Sequence, residues 1–312
     1  MTKKDNKRAG IKVVAGAFTC LLLLFVSCKN QSDKQNIESE IDSTAETAKI
    51  DKSANTMFKF NNVVFSVPSP YEFAYFVKNL GITFNRDYLN SPKNASSYTT
   101  SFRKAVNLGV YGTDLGYLTI YDQTPDGVSY FATTKSLAAE LGIASVFGQK
   151  TMTRIEKNMG NKDSLMVILS SSYREADAYL KDNDRKSLAS YVLAGSWIES
   201  IYILTQISKT MPVKEVYQRI AEQKHPLDNL IKILSIYYNK DDKEFVEMSE
   251  ILVELAYEYD GIDYQYEYKK PKHSPKDHYT VIQSVSELQI NPEQVKRITL
   301  LVEKVRTVIT KK

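Results

Sequence analysis

Only two cysteines occur in the 312 residues, Cys20 and Cys28, and both lie at the N-terminal end. Everything after Cys28 therefore folds without a disulfide. It must be held together by burial of apolar side chains. Residues 57–312 are long enough for one sizeable core, and 43% of the chain is hydrophobic. Cysteine-based zinc sites and thiol catalysis are excluded from that stretch.

Cys28 closes an apolar run, Leu21-Leu22-Leu23-Leu24-Phe25-Val26-Ser27-Cys28, preceded by Lys3, Lys4, Lys7, Arg8 and Lys12. The apolar stretch, about Val13 to Val26, is too short to span a bilayer comfortably, which takes about 20 apolar residues. A basic start, a short apolar segment and a small residue at the cut make a secretory signal. The Cys after the small residue resembles a bacterial lipoprotein signal. Val26 and Ser27 fit that pattern, whereas Phe25 stands where Leu is usual. The resemblance implies removal of residues 1–27, acylation of Cys28 with palmitate-like chains, and a lipid-bilayer anchor at the new N-terminus. Lys29 is not the Asp that in many bacteria retains lipoproteins in the inner membrane, so the outer membrane is the expected location. The competing reading is a plain signal anchor with an incidental cysteine.

Residues 1–27 hold five basic side chains and one acidic. Their loss leaves 36 basic and 36 acidic, so the whole-chain excess of +4 belongs to the signal. A nucleic-acid partner calls for a basic face, and none stands out. Residues 28–56 read as a flexible tether. They lack aromatics, and Ile37, Ile41 and Ile50 are the large apolar residues there. As a coil, the tether reaches roughly 30 Å. A short helix around Ile37 and Ile41, docking on the domain, is the alternative.

Residues 57–312 are expected to form a single all-α domain of about eight to ten helices, a multi-helix bundle or a short stack of helical hairpins. A short extended segment, Phe58–Val67, precedes it, with no clear partner strand. Ser69-Pro70-Tyr71-Glu72 is a capping box, and its helix buries Phe73, Phe76, Val77 and Leu80 before Gly81. Thr124-Pro125-Asp126 starts a helix through Val128, Phe131, Leu137 and Leu141 to Gly142. Asn161 and Asp184 open two more. Pro212, Pro226 and Asp241 mark further starts, and Asn291-Pro292-Glu293-Gln294 caps the last helix. Between Gly261 and His278 the helical pattern fails, which predicts a surface loop with an edge strand. Two Asp/Asn/Lys-rich turns, 181–185 and 239–243, are faintly alike, as in stacked hairpins. Antiparallel hairpins in a bundle explain them equally well.

Asn107-Leu108-Gly109-Val110-Tyr111-Gly112-Thr113-Asp114-Leu115-Gly116-Tyr117, Tyr121-Asp122-Gln123-Thr124 and Ala194-Gly195-Ser196-Trp197-Ile198-Glu199 are distinctive. Together they resemble a group of uncharacterised exported lipoproteins of Bacteroidota, over roughly Val67 to Thr210 and beyond. The resemblance implies an all-helical exported domain. It brings no activity and no site residues.

Acid–base chemistry needs a positioned carboxylate or histidine. Asp114, Asp122, Asp126 and Glu199 are candidates, because the helices around them are otherwise apolar. Glu199 is the sharpest, two residues from the only tryptophan, Trp197. It reads as a tuned acid against an aromatic wall, as a solvated residue on the helix's outer side, or as a partner for Arg174 or Arg185. Gly109, Gly112 and Gly116 permit either a kinked helix pair lining a pocket or close helix contact, with Thr113 or Asp114 capping a new helix. In the pocket reading, Tyr111, Asp114, Tyr117 and Tyr121 supply polar contacts, joined by Trp197 and Glu199.

No metal or other cofactor is expected. His225, His273 and His278, with Asp277, match no helical zinc spacing. The run from Asp122 resembles a calcium loop only until Thr133 stands where Glu is needed. No phosphate loop or nucleophile elbow occurs. Late tyrosines (Tyr237, Tyr238, Tyr257, Tyr259, Tyr264, Tyr266, Tyr268) suit a protein- or glycan-binding surface, or half-buried packing. The favoured expectation is a membrane-anchored envelope lipoprotein, non-catalytic, acting as an accessory to an envelope protein complex. The alternative is a small-molecule-binding protein or unrecognised hydrolase, its pocket near Tyr111, Asp114, Trp197 and Glu199.

Overall fold

The computed structural model describes residues 56–60, 63–67, 70–143, 149–158, 161, 164, 167, 168, 171, 185–274 and 278–311. These lie in one compact unit, Ala48–Lys312. The signal segment, Cys28, the tether before Thr56, Ser69, Arg174, the turn 181–184 and Asp277 fall outside the described residues. So does most of the helix expected from Asn161.

The fold is all-α. Among the described residues there are nine α-helices, two short 3-10 turns and three two-stranded sheets. The chain runs β1 (Thr56–Phe60), β2 (Val63–Val67), α1 (Pro70–Asn79), the turns Arg86–Tyr88 and Pro92–Ser97, α2 (Ser101–Ile120) and α3 (Thr124–Glu140). It continues with α4 (Gln149–Lys157), α5 (Lys186–Thr210), α6 (Lys214–Ala221), α7 (Lys224–Ser235) and α8 (Lys243–Asp260). Strands β3 (Asp263–Glu267), β4 (Lys272–Ser274), β5 (Tyr279–Val281) and β6 (Val285–Gln289) precede α9 (Pro292–Thr310).

Local chemistry sets several boundaries. Asn291 accepts from the Gln294 amide while the Gln294 side chain accepts from the Asn291 amide, a reciprocal cap for α9. Asp242 caps α8 through the Phe245 amide, one residue later than the start expected at Asp241. The chain leaves α1 and α3 through Gly81 and Gly142, both left-handed (φ 73° and 69°). On α3 the buried face is Tyr130, Thr134, Leu137 and Ala138, while Val128, expected inside, is 51% exposed.

Two extended regions differ from expectation. Strands β1 and β2 pair antiparallel, Thr56 with Val67 and Phe60 with Val63, instead of one extended segment without a partner strand. Apolar residues switch from even to odd positions across Asn61-Asn62, the parity change a two-residue hairpin needs. Between Gly261 and His278, where a surface loop with an edge strand was expected, the chain forms two strands, β3 and β4. β3 pairs with β6, and β4 with β5. The partner of β3 returns from beyond the region where the helical pattern failed, so no local signal announces it.

The centre is the crossing of α2 and α5. Seventeen of the 20 residues of α2 are buried, so the helix is enclosed by the domain on every side. α2 runs unbroken through Gly109, Gly112 and Gly116, so neither Thr113 nor Asp114 begins a new helix. A Cβ on Gly109 would lie 2.0 Å from the Val192 carbonyl oxygen, and one on Gly195 would lie 1.8 Å from that of Val106. The two backbones touch, and only glycine fits on either side. Ser196 Oγ donates to the Gly109 carbonyl, and Thr113 Oγ1 to the Ser196 carbonyl, each at 3.2 Å. By length and composition α5 could cross a membrane, yet two-thirds of its apolar window (67%) is buried in the domain, as for the core helix of a globular fold.

Candidate functional site

One face of α2 carries polar residues in an otherwise apolar helix: Arg103, Asn107, Tyr111 and Asp114, spaced four, four and three apart. That stripe meets the C-terminal turn of α9 and the segment 88–98. The last carbonyls of a helix lack intrahelical partners. Here Asn107 Nδ2 donates to Ile309 at 2.7 Å, the Tyr98 hydroxyl to Thr310 at 3.3 Å, and Arg103 Nη1 to Lys311 at 2.5 Å. Arg103 Nε also reaches Glu244 on α8 at 2.6 Å.

At the end of the stripe, Asp114 meets Glu199 of α5 and Arg306 of α9. Asp114 and Glu199 are both 0% exposed. Arg306 grips Glu199 with Nε (2.8 Å) and Nη2 (2.9 Å), and Nη2 also donates to the Tyr88 carbonyl at 3.1 Å. The guanidinium lies over the Tyr202 ring, 3.9 Å from its centroid. Asp114 Oδ2 accepts the Asn90 amide at 3.0 Å. Asn90 also donates Nδ2 to the Tyr98 hydroxyl and to Asn107 Oδ1. Asp114 Oδ1 has no partner among the described residues.

Burial pushes the Asp114 carboxyl well above the usual carboxylate range, and the Glu199 charge adds to the shift. Arg306 and the Asn90 amide act against it. Burial alone would favour neutral Arg306, but the Glu199 carboxylate outweighs it and holds the guanidinium charged. Burial raises the neighbouring hydroxyls of Tyr111 and Tyr130, and pushes Tyr117 up to about 12.

The six residues singled out in the sequence separate into three groups. Asp114 and Glu199 come together. Tyr111, Tyr117 and Tyr121 line α2 and tie down the chain before it. The Tyr111 hydroxyl donates to the Ser91 carbonyl (2.9 Å), that of Tyr121 donates to Ile82 (2.6 Å), and that of Tyr117 accepts the Asn85 amide (3.2 Å). Trp197 points elsewhere: two helical residues are about 200° apart, and its Nε1 donates to Gln223 Oε1 at 3.1 Å. The aromatic wall of the acid centre is Tyr202, not Trp197. The partner of Glu199 is Arg306, while Arg185 donates to the Leu141 carbonyl. Sequence reasoning passed over Arg306, Asn90 and Tyr202. The polar stripe on α2 was the legible sign that something polar faces it.

Asp122 and Asp126 form pairs with Lys78 (3.3 Å) and Arg86 (2.9 Å). His225 bonds the Tyr264 hydroxyl, and His273 bonds Thr280 Oγ1. Among the described residues, no group of three or more His, Cys, Asp or Glu side chains could hold a metal ion. Comparisons with protein-family models, curated proteins and solved structures give no match.

Proposed function

We propose that this chain is a lipid-anchored protein of the cell envelope, tethered through Cys28 in the outer membrane, whose helical domain is a non-catalytic interaction module. The observation that carries the reading is an uncovered aromatic surface on the strands before α9. Tyr264, Tyr266 and Tyr268 stand at alternate positions, on one side of β3 and its extension. Tyr266 is 63% exposed and Tyr268 68%, and Ile282, between β5 and β6, is 75% exposed. Tyrosine supplies large amphipathic contact area at low entropic cost, which is why protein interfaces are enriched in it. A second support is that the polar atoms of Tyr111, Tyr121, Trp197 and Glu199 are committed to partners inside the domain. A small-molecule or hydrolytic pocket has less to stand on, because Trp197 and Glu199 face different helices.

The test places a photo-crosslinking residue at position 266, with an exposed position on α3 as control, and compares Cys28→Ala with the acylated form. The proposal expects one envelope protein cross-linked at position 266, dependent on acylation and lost with Tyr268→Ser. Equal labelling at the control position, or none at position 266, would sink it.

A further inference from the structure

Two carboxyl groups and one guanidinium share the space between α2, α5 and α9. Arg306 spends Nε and Nη2 on Glu199, so its charge is matched by that carboxylate alone. Asp114 receives the Asn90 amide on Oδ2. Among the described residues its buried Oδ1 has no donor, although the Glu199 carboxyl lies within hydrogen-bonding reach of Asp114. Two ionised carboxylates in contact would leave one charge unmatched and both facing oxygens without a proton. A single proton removes both faults.

We propose that Asp114 is a neutral acid in the folded protein, holding on Oδ1 a proton that it donates to the Glu199 carboxylate, so that the fold retains a proton the unfolded chain releases. The groups facing Asp114 agree with this. Tyr111 on its own helix, Tyr130 on α3 and Tyr202 on α5 are raised by burial and stay neutral, adding no charge. Glu199 on α5 is the adjacent anion, and among the described residues Arg306 on α9 is the one cation in contact with the pair. The Asn90 amide is the remaining donor. The proton sits where the end of α9 is clasped, since Arg306 precedes by one turn the carbonyls held by Asn107, Tyr98 and Arg103. Losing it sets two negative charges against one arginine at that clasp.

The direction of the linkage follows. An unfolded aspartate releases its proton near pH 3.9, and Asp114 in the fold releases it well above that. Its stabilising contribution is complete below the unfolded value and is lost as pH rises through the folded one. Between the two, this group lowers the folding equilibrium constant tenfold per pH unit.

The experiment compares the full chain and Asp114→Asn by urea unfolding from about pH 5 to about pH 8, a range that lies above the unfolded value, where ordinary carboxyls are already ionised. The folding constant of the variant should gain on wild type as pH rises, by up to tenfold per pH unit while pH stays below the folded value. A ratio that does not change with pH overturns the proposal. Infrared spectra of the wild type at neutral pH supply a test that survives misfolding of the variant. A protonated-carboxyl carbonyl band that moves when aspartate is carbon-13 labelled is the expected result. No such band, or one blind to aspartate labelling, places the proton elsewhere and overturns the assignment to Asp114.

Discussion

The acid centre beneath α9 and the tyrosine-bearing strands before it are built from similar side chains used in opposite ways. In the centre, Tyr98 and Tyr111 are buried and spend their hydroxyls on the Thr310 and Ser91 carbonyls, and the Arg306–Glu199 pair is closed over by Tyr202. On the strands, Tyr266 and Tyr268 stand in solvent, and Lys214–Glu287 is a surface pair at 3.0 Å. Breaking such a pair costs several times more where water is absent. A buried charge that loses its partner cannot turn to solvent, whereas an exposed one can. The helical centre therefore admits one arrangement of its polar groups, and the strands tolerate many. A surface with that latitude is free to answer to a partner instead of to the fold.

That contrast can be broken at its strongest point first. Arg306→Ala leaves Glu199 buried and unpaired. It should cost about 3 to 5 kcal/mol of stability, read as a large drop in the urea midpoint with an unchanged slope. A loss no larger than that of a surface substitution would mean the centre is wetter than its burial implies. Gly195→Ala drives a methyl into the Val106 carbonyl and forces α2 and α5 apart, for a loss of about 3 kcal/mol. Since Ser196 and Thr113 bond across that crossing, hydrogen exchange of the α2 amides should rise with it. At the other end of the scale, Tyr268→Ser should change stability by less than about 0.5 kcal/mol while abolishing partner cross-linking at position 266. A substantial loss of stability there would turn the surface into part of the fold and remove the contrast.

Much of the helical framework was legible because its signals are local. Asn291 and Gln294 stand three apart and cap each other whatever lies around them, and the α9 positions Val295, Ile298, Val302, Val305 and Ile309 repeat with the helical period and are all buried. Gly81 and Gly142 ended their helices where expected. The β3–β6 pairing was not legible, because the partner of Asp263 is Gln289 and a single-strand pattern of exposed tyrosines resembles a loop. Nor was the exposure of Val128, which a helical pattern alone places inside.

The acid centre divides the same way. The sequence by itself marked Asp114 and Glu199 as carboxyls in apolar helices and set the glycines that let α2 and α5 touch, since composition and spacing along one helix carry that information. Which residue answers those carboxyls was decided only by the tertiary structure. Arg306 is 107 positions from Glu199, and Asn90 is 24 from Asp114. Trp197, two residues from Glu199, was turned away from it toward Gln223 by the helical rotation. The physical reason is that hydrogen bonds and ion pairs act over a few ångströms in space, while the chain brings together residues with no shared period or spacing.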